Sequence, residues 1–146
     1  MTVDPRTLGW LARALNHELR ALQQYLAQSV LARLWGDREL AAKLRHEAFD
    51  ELEHAERLME RLILLGVAPS AGNLTPSRLG RSREELLAAD RQLEADAVRL
   101  YQEAAMQARR ARDFDTAALL EAILAEERAH VEQLDALLQG GEQPHG

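Results

Sequence analysis

Apolar residues recur along this chain at intervals of three and four, the spacing that gathers one face of an α-helix. Breaks in that rhythm divide the chain into four helical stretches. Asp4 before Pro5 predicts a capped start to a first helix that runs to about Trp35. Gly36-Asp37 ends it and recaps the chain for a second helix, which runs to Leu65 and stops at Gly66. Residues 67–81, VAPSAGNLTPSRLGR, hold two prolines and two glycines with no helical period and read as one long connection. Ser82 with Glu85 matches a capping box for a third helix to about Arg112, and Asp113 caps a fourth. The fourth is expected to fade near Leu138 into QGGEQPHG, a flexible C-terminal tail over residues 139–146. The prediction is an all-α domain over residues 1–138: a four-helix bundle of two antiparallel hairpins joined by a long crossover.

The seam positions of these helices are not all apolar. The first helix offers Leu8, Leu11, Leu15, Glu18, Leu22 and Tyr25, and the second Leu44, Glu47, Glu51, His54 and Leu58. On the third lie Leu87, Asp90, Glu94, Ala97 and Tyr101, and on the fourth Leu120, Ile123, Glu127, His130, Leu134 and Leu137. Every seam thus carries a carboxylate near its middle. Burying unpaired carboxylates together is very costly unless something positive neutralises them, and no seam lysine is available. A cation is the remaining candidate. With no cysteine in the chain, thiolate chemistry, iron–sulfur ligation and disulfides are excluded, and an oxygen-rich site with two imidazoles suits iron or manganese.

A repeat sharpens this reading. Glu18 and Glu94, Glu51 and Glu127, and His54 and His130 all stand at one common separation along the chain, as do Tyr25 and Tyr101, and the caps Asp37 and Asp113. In each half the lone glutamate and the Glu-x-x-His lie at similar heights of an antiparallel hairpin, given ~1.5 Å of rise per residue. Taken alone, one Glu-x-x-His means little, since chance supplies about half of one in a chain of this composition. Glu142 and His145 form a third, beside Pro144 and two glycines, where a shared helical face is not expected. Two in matched seam positions, facing two further glutamates, are the di-metal bundle pattern. Tyr25 reads equally as a packed seam residue or as a redox or ordering group beside a metal, and Tyr101 as packing. Trp10 and Trp35 read as packing anchors near helix ends, and His17, pointing about 100° away from Glu18, as surface.

Charge and composition narrow the partners. The net charge of −6 mixes both signs along the chain, which gives no footprint for nucleic acid or a membrane surface. No apolar run approaches the ~20 residues that span a bilayer, and the opening MTVDPRTLGW has no basic-then-hydrophobic leader, so a cytoplasmic protein is expected.

Four stretches carry a resemblance to a known family. LNHELRALQQYL, HEAFDELEHAERLMERL, AADRQLEADA and LAEERAHVEQL resemble, in order, the four ferroxidase motifs of bacterioferritins, with colinear similarity over about residues 8–138. The resemblance implies a ferritin-like four-helix bundle and a ferroxidase that oxidises Fe(II) with dioxygen or hydrogen peroxide for iron storage and detoxification. It implies two iron ions per subunit, manganese being the alternative, on Glu18, Glu51, His54, Glu94, Glu127 and His130, with Glu51 and Glu127 bridging. Tyr25 resembles the family's oxidisable tyrosine, and His46 with Asp50 its inner-surface iron site. The family's haem-binding methionine falls at Leu52, so haem is not expected in a homo-oligomer, and Met59 and Met106 stand elsewhere. The stretch after His130 is short, finishing the fourth helix and reaching Gly146 where the family places a fifth helix on the four-fold axis of its shell, so the expectation is a homo-oligomer of at least two chains. Two other readings of the same residues are a non-storage di-iron or di-manganese oxidase or peroxidase of small assembly size, similar to rubrerythrins, and a haem-free partner subunit of a haem-bearing bacterioferritin.

Overall fold

The computed structural model describes residues 3–70, 72 and 74–142. Four helices account for most of them: α1 Pro5–Leu34, α2 Arg38–Leu64, α3 Arg83–Arg110 and α4 Phe114–Glu142. Each is 27 to 30 residues long, or roughly 40–45 Å at 1.5 Å per residue. Among the described residues there is no strand, and no helix is long and apolar enough to cross a membrane.

The caps stand where the sequence puts them. Asp4 accepts from the Arg6 N–H at 2.9 Å, Asp37 from Leu40 at 3.0 Å and Asp113 from Thr116 at 3.2 Å. Ser82 accepts from Glu85 at 3.2 Å, but the Glu85 carboxylate turns back to the N–H of Arg81 rather than Ser82, so the capping box closes one residue early. Gly36 and Gly66 both have φ +83°, and α1 and α2 end in the paired backbone bonds of a left-handed C-terminal turn. The end of α3 has the same bonds, but Arg112 occupies the left-handed position at φ +59°.

One expectation is corrected. α4 does not fade at Leu138 but continues through Gly140 to Glu142. Leu137 and Leu138 pack against the buried cluster at that end of the bundle, which holds the last turns in register despite a helix penalty of ~1 kcal/mol for each glycine. Residues 143–146 of the expected tail, and with them His145 of the third Glu-x-x-His, lie outside the described residues.

The α1–α2 and α3–α4 hairpins are closely packed pairs. Between hairpins α1 runs antiparallel to α3, because Tyr25 meets Glu94 while Tyr101 meets Glu18. On the other side α2 runs antiparallel to α4, with Arg57 on Glu126 and Arg61 on Asp113. This makes α2 and α3 parallel, so residues 66–82 must travel the length of the bundle to begin α3 beside the start of α2, where Arg83 lies 3.6 Å from Asp37. Glutamines of α1 hold that crossover. The Gln23 amide donates to the Thr75 carbonyl at 2.9 Å and the Gln28 amide to that of Arg78 at 2.8 Å, while Gln24 accepts from the Arg78 N–H at 3.4 Å.

The apolar core is in two parts. One gathers Leu11, Leu15, Leu58, Leu62, Tyr101, Leu120 and Ile123, and the other Tyr25, Leu40, Leu44, Leu86, Leu87 and Leu134. Between them lies a layer of charge.

Candidate metal centre

That layer is built from one glutamate of each helix and two histidines. Glu18, Glu51, Glu94, Glu127 and His54 are at most 1% exposed and His130 is 8% exposed, so all six expected positions are brought together inside the bundle. Their donor atoms fall into two overlapping groups. Glu18, Glu51, His54 and Glu127 each offer one atom within 4.8 Å of the others, as do Glu51, Glu94, Glu127 and His130. Glu51 and Glu127 belong to both, and the two imidazoles face across a centroid separation of 6.1 Å.

The tyrosines hold the outer carboxylates. Tyr25 donates to Glu94 Oε1 at 2.7 Å and Tyr101 donates to Glu18 Oε1 at 2.5 Å, each reaching the opposite half of the chain. The second oxygens, Glu18 Oε2 and Glu94 Oε2, have no hydrogen-bond partner, nor do either oxygen of Glu51 and Glu127 or the Nδ1 atoms of His54 and His130. His54 Nδ1 comes within 2.8 Å of Glu127 Oε1, but the approach lacks hydrogen-bond geometry. Eight orphaned polar atoms, all in the two donor groups, are the environment a pair of hard cations needs and one that apolar packing does not explain.

Burial and the neighbouring charges shift the proton affinities of this layer. Burial, then Glu18 and Glu94, push the Glu51 carboxyl well above the usual range. Burial also pushes Glu94 up to about 7. For His54, burial opposes the charged form but is outweighed by the carboxylates of Glu127, Glu18 and Glu51, and its pKa is pushed up to about 12. His130 is raised in the same way, against burial, by Glu127, Glu51 and Glu94. Both tyrosine hydroxyls are raised by burial and by the carboxylates they face, which keeps them protonated as donors.

A second ring lies behind the imidazoles. His54 Nε2 is 3.6 Å from Glu126, which Arg57 pairs at 2.8 Å. His130 Nε2 lies 3.4 Å from both Glu47 and Asp50, and Asp50 is 3.8 Å from the exposed His46. Asp50 thus lies between His130 and the exposed His46. Sequence reasoning missed two members of this arrangement. Glu126 is the repeat counterpart of Asp50, so the signal for it was already present, and Tyr101, read as packing, is a hydrogen-bond donor to a candidate ligand. It also missed Asp90 as a polar node: buried, it accepts from Gln24 at 2.9 Å, and burial pushes its pKa up to about 7. Trp35, expected to be a packing anchor, is 41% exposed.

A bundle of two hairpins with a crossover, carrying carboxylates on all four helices and a Glu-x-x-His on two, is a ferritin-like carboxylate protein. The ferritin-like domain family matches residues 10–143. The chain is 35% identical over 139 residues to a bacterioferritin of Mycobacterium bovis, covering 95% of this chain and 87% of that protein. It is 36% identical over 138 residues to a bacterioferritin of Streptomyces coelicolor, covering 94% and 83%. The solved structure of the Mycobacterium tuberculosis bacterioferritin BfrA superposes with a TM-score of 0.91 at 35% identity, over 95% of this chain and 87% of that one. The chain belongs to the bacterioferritin family. Fold and relatives together support a role in iron storage.

Proposed function

We propose that this chain is a ferroxidase that takes up two Fe(II) per subunit and oxidises them for iron storage and detoxification, in the cytoplasm. The observation that carries the reading is the pair of donor groups sharing Glu51 and Glu127, with eight of their buried polar atoms lacking a hydrogen-bond partner. In it Glu51 and Glu127 bridge, Glu18 with His54 serves one position and Glu94 with His130 the other. The tyrosine bonds orient Glu18 and Glu94 and leave the second oxygen of each without another partner, so these oxygens would be available to the iron. Two Fe(II) become two Fe(III), and dioxygen takes the two electrons and two protons to give hydrogen peroxide, or hydrogen peroxide takes them to give two waters. Tyr25 orders Glu94 and is an oxidisable side chain beside the centre, as Tyr101 is on the Glu18 side. His46 and Asp50 form a secondary inner-surface iron site beside His130. Manganese fits the same donors. At Leu52, 39% exposed on α2, no thioether is offered to haem.

The test is an anaerobic Fe(II) titration followed by air, reading ferric absorbance. Saturation at two Fe(II) per chain and rapid oxidation are expected, with oxidation lost in Glu127→Ala while the helical circular dichroism remains. Unchanged oxidation kinetics in Glu127→Ala would sink the assignment. Continued uptake far beyond two irons per chain separates storage from an oxidase or peroxidase that stops there.

A further inference from the structure

The two ends of the bundle close differently between α2 and α4. Beyond His54 they are clamped: the Arg61 guanidinium of α2 donates to Thr116 at 2.8 Å and to Asp113 at 3.2 Å, both of α4. The repeat counterparts of these three are Leu137, Leu40 and Asp37, so the half around His130 has leucines where the other half has its clamp. There the helices leave a cavity of about 620 Å³. Leu40, Leu44, Leu87, Leu134 and Leu137 line it, the exposed His46 stands at its mouth, and the buried Tyr25 and His130 close its inner end.

We propose that this leucine-lined cavity is the reservoir and access route for dioxygen, a reading that rests on the ferroxidase function above. Fe(II) arrives as a strongly hydrated dication and gains nothing from leucine walls, which cannot replace its water. Water finds partners at Lys43, His46, Glu47 and Gln133, but none along the leucine walls, and the Tyr25 hydroxyl is already committed to Glu94. Dioxygen is small, apolar and needs no hydrogen bonds, and cavities lined by aliphatic side chains take up such apolar species, xenon among them. The volume far exceeds that of one diatomic molecule, so the cavity concentrates the gas rather than gripping it. Its inner end touches His130, which puts the oxidant at one position of the centre, while the other position lies behind the Arg61 clamp. Hydrogen peroxide, with two O–H groups, is at home in water and does not depend on this route.

The experiment narrows the cavity with Leu44→Phe in its wall and, where the packing of α2 tolerates less, Leu137→Trp near its mouth. Xenon should shift the methyl resonances of Leu40, Leu87 and Leu134 in the wild type and not in the variants. At low dioxygen the variants should oxidise Fe(II) at least five-fold more slowly, with Fe(II) stoichiometry and the rate with hydrogen peroxide within two-fold of wild type. An unchanged dioxygen rate, equal slowing with both oxidants, or no xenon shift in the wild type overturns the proposal. If the wild type oxidises Fe(II) with neither oxidant, the ferroxidase reading fails instead, and the xenon shifts alone decide whether the cavity takes up apolar gas.

Discussion

At the scale of single residues, the fold holds protons that an unfolded chain releases. Asp90, raised from 3.8 to about 7, binds its proton more tightly in the fold, so its share of stability is present at low pH and falls as pH rises through that window. His54, raised from 6.5 to about 12, contributes fully below 6.5 and loses that contribution as pH climbs towards 12. Both slopes have the same sign between pH 5 and 8, as does that of Glu94 up to about 7. The melting temperature of the metal-free protein should therefore fall from pH 5 to pH 8, and Asp90→Asn should flatten part of that fall by roughly 2–4 kcal/mol, raising stability at pH 8 and changing little near pH 4. A flat profile in the wild type counts against these buried protons. Cations compete for the same sites, so binding should release protons to a weakly buffered solution and tighten as pH rises. The six candidate ligands were legible in the sequence because charge on a helical seam is costly and needs a reason. The bond from Tyr101 to Glu18 was not, since periodicity gives the face a side chain points from but not where its hydroxyl ends.

Among the elements, the helix starts followed from local chemistry, because an aspartate or serine cap acts within three residues of itself. The end of α4 did not. Two glycines weaken a helix locally, but leucines packed against a distant cluster outweigh them, and that packing is invisible to a reading of neighbours. The crossover is a similar case: its irregularity was plain, while its attachment through Gln23, Gln24 and Gln28 depends on which faces of α1 the bundle leaves to it. The repeat makes one element-scale expectation quantitative. Gly36 and Arg112 occupy equivalent left-handed positions, and a side chain there is strained where glycine is not. Arg112→Gly should stabilise the α3–α4 turn by about 1 kcal/mol in chemical denaturation, and a loss of stability would show that the Arg112 side chain makes compensating contacts.

On the scale of the whole molecule, the first hairpin is apolar outside as well as in. Leu26 and Val30 of α1 and Phe49 and Leu52 of α2 are 39–54% exposed, an unusual set of side chains to leave against water. Self-association through this hairpin is the expected use, and replacing Phe49 and Leu52 by glutamate should reduce the assembly size measured by light scattering without changing the helical content. An unchanged size moves the interface elsewhere. The division of the donor groups between the hairpins also bears on how such a chain is made. During synthesis the first hairpin emerges with Glu18, Glu51 and His54 but without Glu127, and the second brings Glu94, Glu127 and His130 but needs Glu51, so neither proposed metal position exists until both hairpins have docked. A half-made chain on the ribosome offers no complete site for iron, and redox-active metal is admitted only once the bundle around it is finished.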